Sequence, residues 1–306
     1  MRAISQRSYG GPEVLETVEV ERPEPAPGEV LVRVRAAGVN PADWKIRSGM
    51  IRRFGDPPFT LGLDFSGVVV HDTTRFRAGD EVYGCAFPPH GAYAEYVVVP
   101  ESALAGKPRG LDHVPAAALP VVALTAWQAL TRVGNVAEGQ RVLVHAAAGG
   151  IGHLAVQIVK SLGGYVIGTA RQANHEFLRA LGADELIDYT TTDFGLLTDV
   201  DVVLDPIGED YGVRSLDTLR PGGILVDVRG SGPDRAVVRR AAEARGTRFE
   251  QFGFTPSGDD LGRIAELVER GDLTVAVDQV LPLEAAAKAH ELSETGHVKG
   301  KIVLTV

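Results

Sequence analysis

The run from Val142 to Ala155 constrains the fold more than any other part of the chain. It reads Val-Leu-Val-His-Ala-Ala-Ala-Gly-Gly-Ile-Gly-His-Leu-Ala. Arg141 to Ala146 is a short apolar stretch, the pattern of a strand buried on both faces. Ile151, Leu154, Ala155, Ile158 and Leu162 fall on one stripe, which predicts a helix over Ile151 to Leu162. Between the two, Gly150, Gly152 and Ala155 match G-x-G-x-x-G/A in the strand-then-helix context that the motif requires. Such glycines let a diphosphate approach the backbone where a Cβ would obstruct it. The free N–H groups and the dipole of the helix start then face its negative oxygens. Ala148, Gly149, Gly150, Ile151 and Gly152 are therefore predicted to hold a dinucleotide. The competing reading is a tight strand–helix turn with no ligand, which the surrounding pattern disfavours.

The rest of the second half extends this pattern. Tyr165–Ala170, Glu185–Asp188, Val200–Asp205 and Ile224–Val228 read as strands, and Leu124–Val133, Phe177–Leu181 and Ser215–Leu219 as helices. Alternation of this kind implies a parallel, doubly wound sheet. The first part is different. Val30, Val32 and Val34 alternate with Leu31, Arg33 and Arg35, the period of a half-buried strand, and Phe65–Val70 and Ala94–Val99 add short strands between Gly and Pro punctuation. Leu283–Ser293 reads as a helix and Lys301–Val306 as a strand expected to return to the β-rich part. A chain of 306 residues favours two domains. Its net charge of −9 argues against a nucleic-acid surface. The single Cys85 excludes an intrachain disulfide and a multi-cysteine metal site. No signal stretch or long apolar run is seen, so a cytoplasmic protein without a membrane partner is expected.

The residues also bear on which dinucleotide is bound. NAD-type sites place an Asp or Glu about 20 residues beyond the glycines. Here that stretch is Gly168-Thr169-Ala170-Arg171-Gln172, with no acid and with Arg171 as a cation suited to a 2′-phosphate. NADPH is the predicted cofactor. Thr169 is expected to add a hydroxyl contact to that phosphate. Ile207, within Pro206–Gly208, and Val228 and Arg229 follow predicted strand ends, where a dinucleotide crosses such a sheet. Phe252 and Phe254 alternate on a strand-like run, Arg248–Phe254, as a nicotinamide wall or a dimer edge. Asn40 is expected to present an amide donor to a substrate oxygen, or else to cap its own backbone. Asp43 reads as an N-cap or loop anchor. Tyr83 and Trp44 read as packing residues before cleft residues.

Ala146-x-x-Gly149-Gly150-x-Gly152 resembles the cofactor loop of zinc-free quinone oxidoreductases in the medium-chain dehydrogenase/reductase superfamily. Gly38-Val39-Asn40-Pro41-Ala42-Asp43, Gly79–Gly84, Leu124–Trp127 and Gly300–Leu304 resemble further blocks of that family, so the likeness spans nearly the whole chain. It implies an α/β protein with a GroES-like catalytic domain over 1–119 and 275–306. A Rossmann domain over 120–274 would be inserted in it, with the active site in the cleft and a homodimer as the usual assembly. It implies hydride transfer from NADPH to a small-molecule quinone or α,β-unsaturated carbonyl. By the same likeness Tyr189 lies near the adenosine or its 2′-phosphate, Thr125 touches the nicotinamide and Lys45 lies near its ribose. Lys301 would reach the cofactor from the returning strand; an edge-strand lysine is the plainer reading. The catalytic metal of the zinc branch needs a Cys near Asn40–Ala42 and a His-Glu pair where Leu63-Asp64 stand, so zinc is not expected. The sequence departs from the family pattern at His71–Thr74, where the turn is shortened. Two alternatives remain: an enoyl-thioester reductase of the same fold, with Arg47, Arg52 and Arg53 at a basic entrance, and a non-catalytic, crystallin-like NADPH-binding protein.

Overall fold

The computed structural model describes residues 1–208, 210–231 and 234–306. The chain divides into two compact units. The first comprises Met1–Leu124, Thr255–Gly271 and Val275–Val306, and the second Thr125–Phe254 with Asp272–Thr274.

The second unit carries a six-stranded sheet in the order Glu185–Ile187, Tyr165–Thr169, Arg141–Val144, Val200–Asp205, Leu219–Asp227, Arg248–Gln251. Every neighbouring pair is parallel. The order runs outward from Arg141–Val144 in both directions, so the topology switches between that strand and Val200–Asp205, the place where open α/β sheets bind ligands. Helices Gly150–Ser161, His175–Ala180, Asp210–Leu216 and Ala236–Ala244 accompany the strands. Leu143, Ile167, Val203 and Leu225, one from each inner strand, meet in a single buried cluster with Phe194 and Phe249. The expected Ser215–Leu219 helix is displaced: the helix ends at Leu216 and Leu219 already opens the next strand. Helix Ala236–Ala244 has no counterpart in the sequence reading. Leu124–Val133 is the end of a helix that begins at Pro120 and finishes in a wider turn over Ala129–Val133.

The first unit holds a seven-stranded sheet. Its main path runs Val277–Pro282, Lys301–Thr305, Glu29–Val39, Asp64–Val69, Glu81–Cys85, Leu104–Gly106, and Tyr96–Pro100 also pairs with Glu29–Val39. A three-stranded sheet of Glu16–Glu19, Arg2–Gln6 and Phe59–Thr60 completes it. Val30, Val32 and Val34 are buried while Arg33 and Arg35 are exposed, as the alternation predicted, but Leu31, on the face of the arginines, is buried too. The last strand does return, pairing antiparallel with Glu29–Val39 through Ile302–Val39 and Leu304–Ala37. It is not an edge strand, because Val277–Pro282 covers its other side. This corrects the plainer reading of Lys301. At the shortened turn, Asp72 accepts the Ala78 N–H at 2.8 Å, which closes the loop without a longer glycine turn.

Beside the expected limits at 119/120 and 274/275, the contact-based units also divide at 274/275, place the first limit at 124/125 and assign Thr255–Gly271, which carries one unread helix, to the first unit. Gly258–Glu269 lies with the first unit, packed on strand Leu104–Gly106. The Ser257 side chain caps it by accepting from the Asp260 N–H. The buried Tyr83 hydroxyl donates to the Leu261 carbonyl at 2.7 Å, so Tyr83 is a packing residue. Tyr83→Phe removes that bond and is expected to lower stability by about 0.5–1.5 kcal/mol, read as the shift in a urea unfolding midpoint with unchanged slope. No shift would show that this bond does not hold the helix in place.

Candidate functional site

In the second unit the glycine loop has the form that an anion site needs. Strand Arg141–Val144 ends, and Ala146 turns the chain with φ of +46°. The loop is pinned to its neighbour by Ala147 N–H donating to the Thr169 carbonyl at 3.0 Å. The helix begins at Gly150 with extended Gly149 as its cap residue. Glycine has no side chain to cap with, and the first backbone bond of the helix is His153 N–H to the Gly149 carbonyl at 3.1 Å. Among the described residues the N–H groups of Gly150, Ile151 and Gly152 therefore have no acceptor. Gly152 is required by close packing: a Cβ there would lie 2.3 Å from the Ala146 carbonyl oxygen and 2.6 Å from Ala147 Cα. These residues fit the diphosphate of a dinucleotide.

Register explains the next pair. Thr169 lies beside Ile187 in adjacent parallel strands, so the residues two positions on, Arg171 and Tyr189, emerge together. Both are exposed, and Arg171 Nε donates to the Tyr189 hydroxyl at 3.1 Å. The terminal nitrogens of Arg171 have no protein partner among the described residues. The nearby acid Asp188 is spent on its own turn, accepting from Gln172 N–H at 2.9 Å and from the Thr190 hydroxyl at 2.6 Å.

Several predicted contacts are committed elsewhere. Thr169 is fully buried, and its hydroxyl meets His145 Nδ1 at 3.1 Å, so it does not face a phosphate. His145, which the sequence reading did not single out, also meets Ser215 Oγ at 2.8 Å and packs edge-on against Phe194 and Tyr211. Burial, with Arg214 adding to it, pushes its pKa down to about 3, so the ring is neutral. Arg229 is forked onto Asp227, with Nη2 at 2.7 Å and Nε at 3.1 Å from Oδ2, and Asp227 also takes Arg235 Nε at 3.0 Å. That guanidinium is held by protein rather than presented to a cofactor. Ile207 and Gly208 N–H both donate to Asp205 Oδ1 at 2.8 Å. Val228 is buried, and Phe252 N–H continues the ladder to the Asp227 carbonyl at 2.9 Å. Ile207, Val228 and Phe252 thus stand at the carboxyl ends of neighbouring strands, with Phe254 just beyond. Thr125 is buried in helix Pro120–Gln128.

The first unit gathers a second cluster. Asn40 ends strand Glu29–Val39 and is the cap residue of helix Pro41–Arg47. Asp43 is the third residue of that helix, not its cap, and its Oδ2 accepts the Asn40 N–H at 2.8 Å. The Asn40 side chain points instead at Asp64, donating from Nδ2 to Oδ2 at 2.8 Å. Lys301 Nζ donates to Asn40 Oδ1 at 2.5 Å and to Asp64 Oδ2 at 3.0 Å. The other Asp64 oxygen accepts the Val121 N–H at 2.6 Å. Asp64 is fully buried, and Lys301 and Asn40 are each 2% exposed. Lys301 is therefore an internal counter-ion, which corrects its expected role as a cofactor contact. Gly38 permits the arrangement, since a Cβ there would come within 2.9 Å of Asp64 Oδ2. Lys45 is half-buried with its ammonium 5.7 Å from the Trp44 ring centre. Among the described residues no three His, Cys, Asp or Glu side chains gather as metal ligands.

Asp43 is fully buried, and among the described residues its Oδ1 has no partner. Its pKa is raised to about 7, chiefly by burial and in part by Asp64, against the opposing effects of the Asn40 N–H, Lys301 and the Tyr93 hydroxyl. Tyr93 in turn meets His290 Nε2 at 3.3 Å, and Arg47 Nη1 lies 3.2 Å from His290 Nδ1. An arginine can only donate, so His290 accepts at Nδ1 and donates from Nε2.

Two families align with parts of the chain: "Alcohol dehydrogenase GroES-like domain" over residues 26–109 and "Zinc-binding dehydrogenase" over residues 181–304. A quinone oxidoreductase of Pseudomonas aeruginosa is 36% identical, covering 99% of this chain and 99% of its own. The structure of the quinone oxidoreductase from Coxiella burnetii superposes with a TM-score of 0.93 at 38% identity, covering 100% of this chain and 99% of that one. The Escherichia coli quinone oxidoreductase complexed with NADPH gives 0.89 at 28% identity, covering 100% of each chain.

Two predictions follow from these geometries. Gly152→Ala drives a Cβ into rigid backbone, whereas at Gly149 the nearest atom is the Ala146 oxygen at 3.2 Å. Gly152→Ala is expected to lose about 1–3 kcal/mol of stability and its dinucleotide affinity, and Gly149→Ala to lose clearly less stability; equal stability of the two variants would refute the packing argument. Asp43 holds its proton more tightly folded than unfolded, so its contribution to stability falls as pH rises from about 4 to about 7. Asp43→Asn removes that loss. Its Tm relative to the parent should climb across that window and level off above it; a difference independent of pH contradicts the assignment.

Proposed function

Because the chain belongs to the quinone oxidoreductase-like proteins of the medium-chain dehydrogenase/reductase superfamily, we propose that it uses NADPH to reduce a quinone or an α,β-unsaturated carbonyl without zinc. Members of this family are NAD(P)H-dependent oxidoreductases. The observation that carries the cofactor reading is the uncapped helix start at Gly149–Gly152, together with the Arg171–Tyr189 pair two residues beyond a shared register. The helix start offers N–H donors and a positive dipole end to the diphosphate. Arg171 offers its two terminal nitrogens to a 2′-phosphate, and the neighbouring Asp188 bonds to Gln172 and Thr190 rather than to Arg171.

When bound, the reduced nicotinamide supplies a hydride. The chain's part is to hold the acceptor and to stabilise the negative charge that grows on its oxygen. On this reading Asn40 donates to that oxygen, and a proton from water completes the two-electron reduction. The zinc-free reading rests on Asp64. Its two oxygens are already filled by Lys301, Asn40 and Val121, and the cation beside it is an ammonium. The enoyl-thioester alternative loses one of its three basic residues, because Arg47 is buried and paired with Glu294 at 2.7 Å.

NADPH oxidation measured against a simple quinone, an enone and an enoyl-thioester is expected to be fastest with one of the first two. Arg171→Glu is expected to lower kcat/KM for NADPH at least tenfold, about 1.4 kcal/mol, and to raise the NADH/NADPH ratio. An unchanged kcat/KM for NADPH removes Arg171 from the site.

A further inference from the structure

We propose that Asp64 and Lys301 are positioning residues that fix which way the Asn40 amide faces, and so reserve one of its hydrogens for the oxygen of a carbonyl or quinone acceptor. The inference deepens the proposed function and rests on Asn40 as the oxygen-binding donor in it.

A primary amide has one acceptor end and one end with two donor hydrogens, and it can turn over by half a rotation of its terminal torsion. At Asn40 the two ends meet opposite charges. Oδ1 faces the Lys301 ammonium at 2.5 Å, and Nδ2 faces Asp64 Oδ2 at 2.8 Å. Turned over, the amide would set its hydrogens against an ammonium and its oxygen against a carboxylate. Both charge-assisted bonds would become repulsive. The pair is also tied to itself through Lys301 Nζ and Asp64 Oδ2 at 3.0 Å, and Asp64 is anchored by the Val121 N–H at 2.6 Å. The charges that select the orientation are therefore themselves held in place. They come from the starts of strands Asp64–Val69 and Lys301–Thr305, while Asn40 follows the end of the strand that pairs with both.

The hydrogen count then leaves one donor over. Of the two Nδ2 hydrogens, one goes to Asp64. Among the described residues the other has no acceptor, in a side chain that is 2% exposed. A nearly buried donor without a partner is uncommon in folded proteins. A single directed hydrogen matches a single acceptor oxygen that becomes more negative as hydride arrives, because such a bond strengthens in the transition state. Lys301 and Asp64 make no contact with the acceptor in this account. They act through Asn40.

The test uses the full-length protein with 15N-labelled asparagine. The chain has three asparagines, Asn40, Asn135 and Asn174, and Asn40→Ser identifies the Asn40 side-chain signals. NADP⁺ binding is confirmed first, by displacement of fluorescent NADPH. Cyclohexanone, a ketone with no β-carbon to reduce, is then added. The expected result is a shift of one Asn40 amide hydrogen, with the Asp64-bonded one unmoved. Movement of neither or of both, in protein shown to bind NADP⁺, overturns the inference while leaving the cofactor reading intact. In ligand-free Lys301→Met the two hydrogens should lose their distinct protection from exchange; Asp64→Asn serves equally if the first variant does not fold. Retained distinction in a folded variant overturns it. With an enone, Asn40→Ala and Lys301→Met are each expected to lower kcat on the order of 100-fold, and the double variant no further. Multiplying losses would mean that Lys301 acts independently of Asn40, which also overturns the proposal.

Discussion

A carboxylate with no exposure to water must be neutralised where it stands, and Asp64 is such a group. An ammonium, an amide and a backbone N–H surround it, from Lys301, Asn40 and Val121. Buried pairs of this kind bring little net stability, since desolvation offsets most of the attraction, but losing one partner is expensive, about 3–5 kcal/mol. What the arrangement secures is specificity. It fixes the register of the last strand against Glu29–Val39, the approach of Gly38 to Asp64 and the direction of the Asn40 amide. A chain that placed an uncharged residue at position 301 would leave the Asp64 charge without its counter-ion inside the sheet.

The second unit solves the opposite problem. Its strands are apolar and its sheet is held by Leu143, Ile167, Val203 and Leu225, yet it must offer polar groups to a ligand. It does so by leaving backbone groups unpaired at one end. Gly149 cannot cap, and Gly152 cannot carry a Cβ, so the loop stays bare for the same reason that it stays close. Polar groups that could disturb that core are tied down instead. His145 is kept neutral between Thr169 and Ser215, and Asp227 holds both Arg229 and Arg235.

The parts of this protein that were legible in the sequence are those in which backbone chemistry sets the residue type. The glycine loop needs glycine, the central strands need apolar runs, and the absent acid near Arg171 is a statement about a single position. The return of the last strand was implied by the family likeness, since the spacing of its residues could not show which strand it would pair with. What stayed hidden depends on partners far apart in the chain. Lys301 reads as an edge lysine or a cofactor contact until Asp64, 237 positions away, is known to face it. Thr169 reads as a ligand contact from its distance beyond the glycine loop and Arg229 because it follows a strand end, and neither His145 nor Asp227 announces that it will claim them. Gly258–Glu269 escaped because its apolar residues pack on a strand from the other end of the same unit, so the domain limit was drawn past it.

The same distinction decides which residues can carry the chemistry. Of the polar residues singled out, Arg229, Lys301 and Thr169 are satisfied by the protein, and a group already satisfied gains little from a ligand. Among the described residues, Arg171, the Gly150–Gly152 amides and one hydrogen of Asn40 keep unused bonding capacity. Burial makes that unused capacity costly in the free protein for Asn40 and nearly free for the exposed Arg171. A donor that is expensive to leave unmade yields more when an oxygen arrives, and more again as that oxygen gains charge. The buried amide is thus suited to discriminate a transition state, whereas the exposed guanidinium is suited to select between two cofactors by one phosphate.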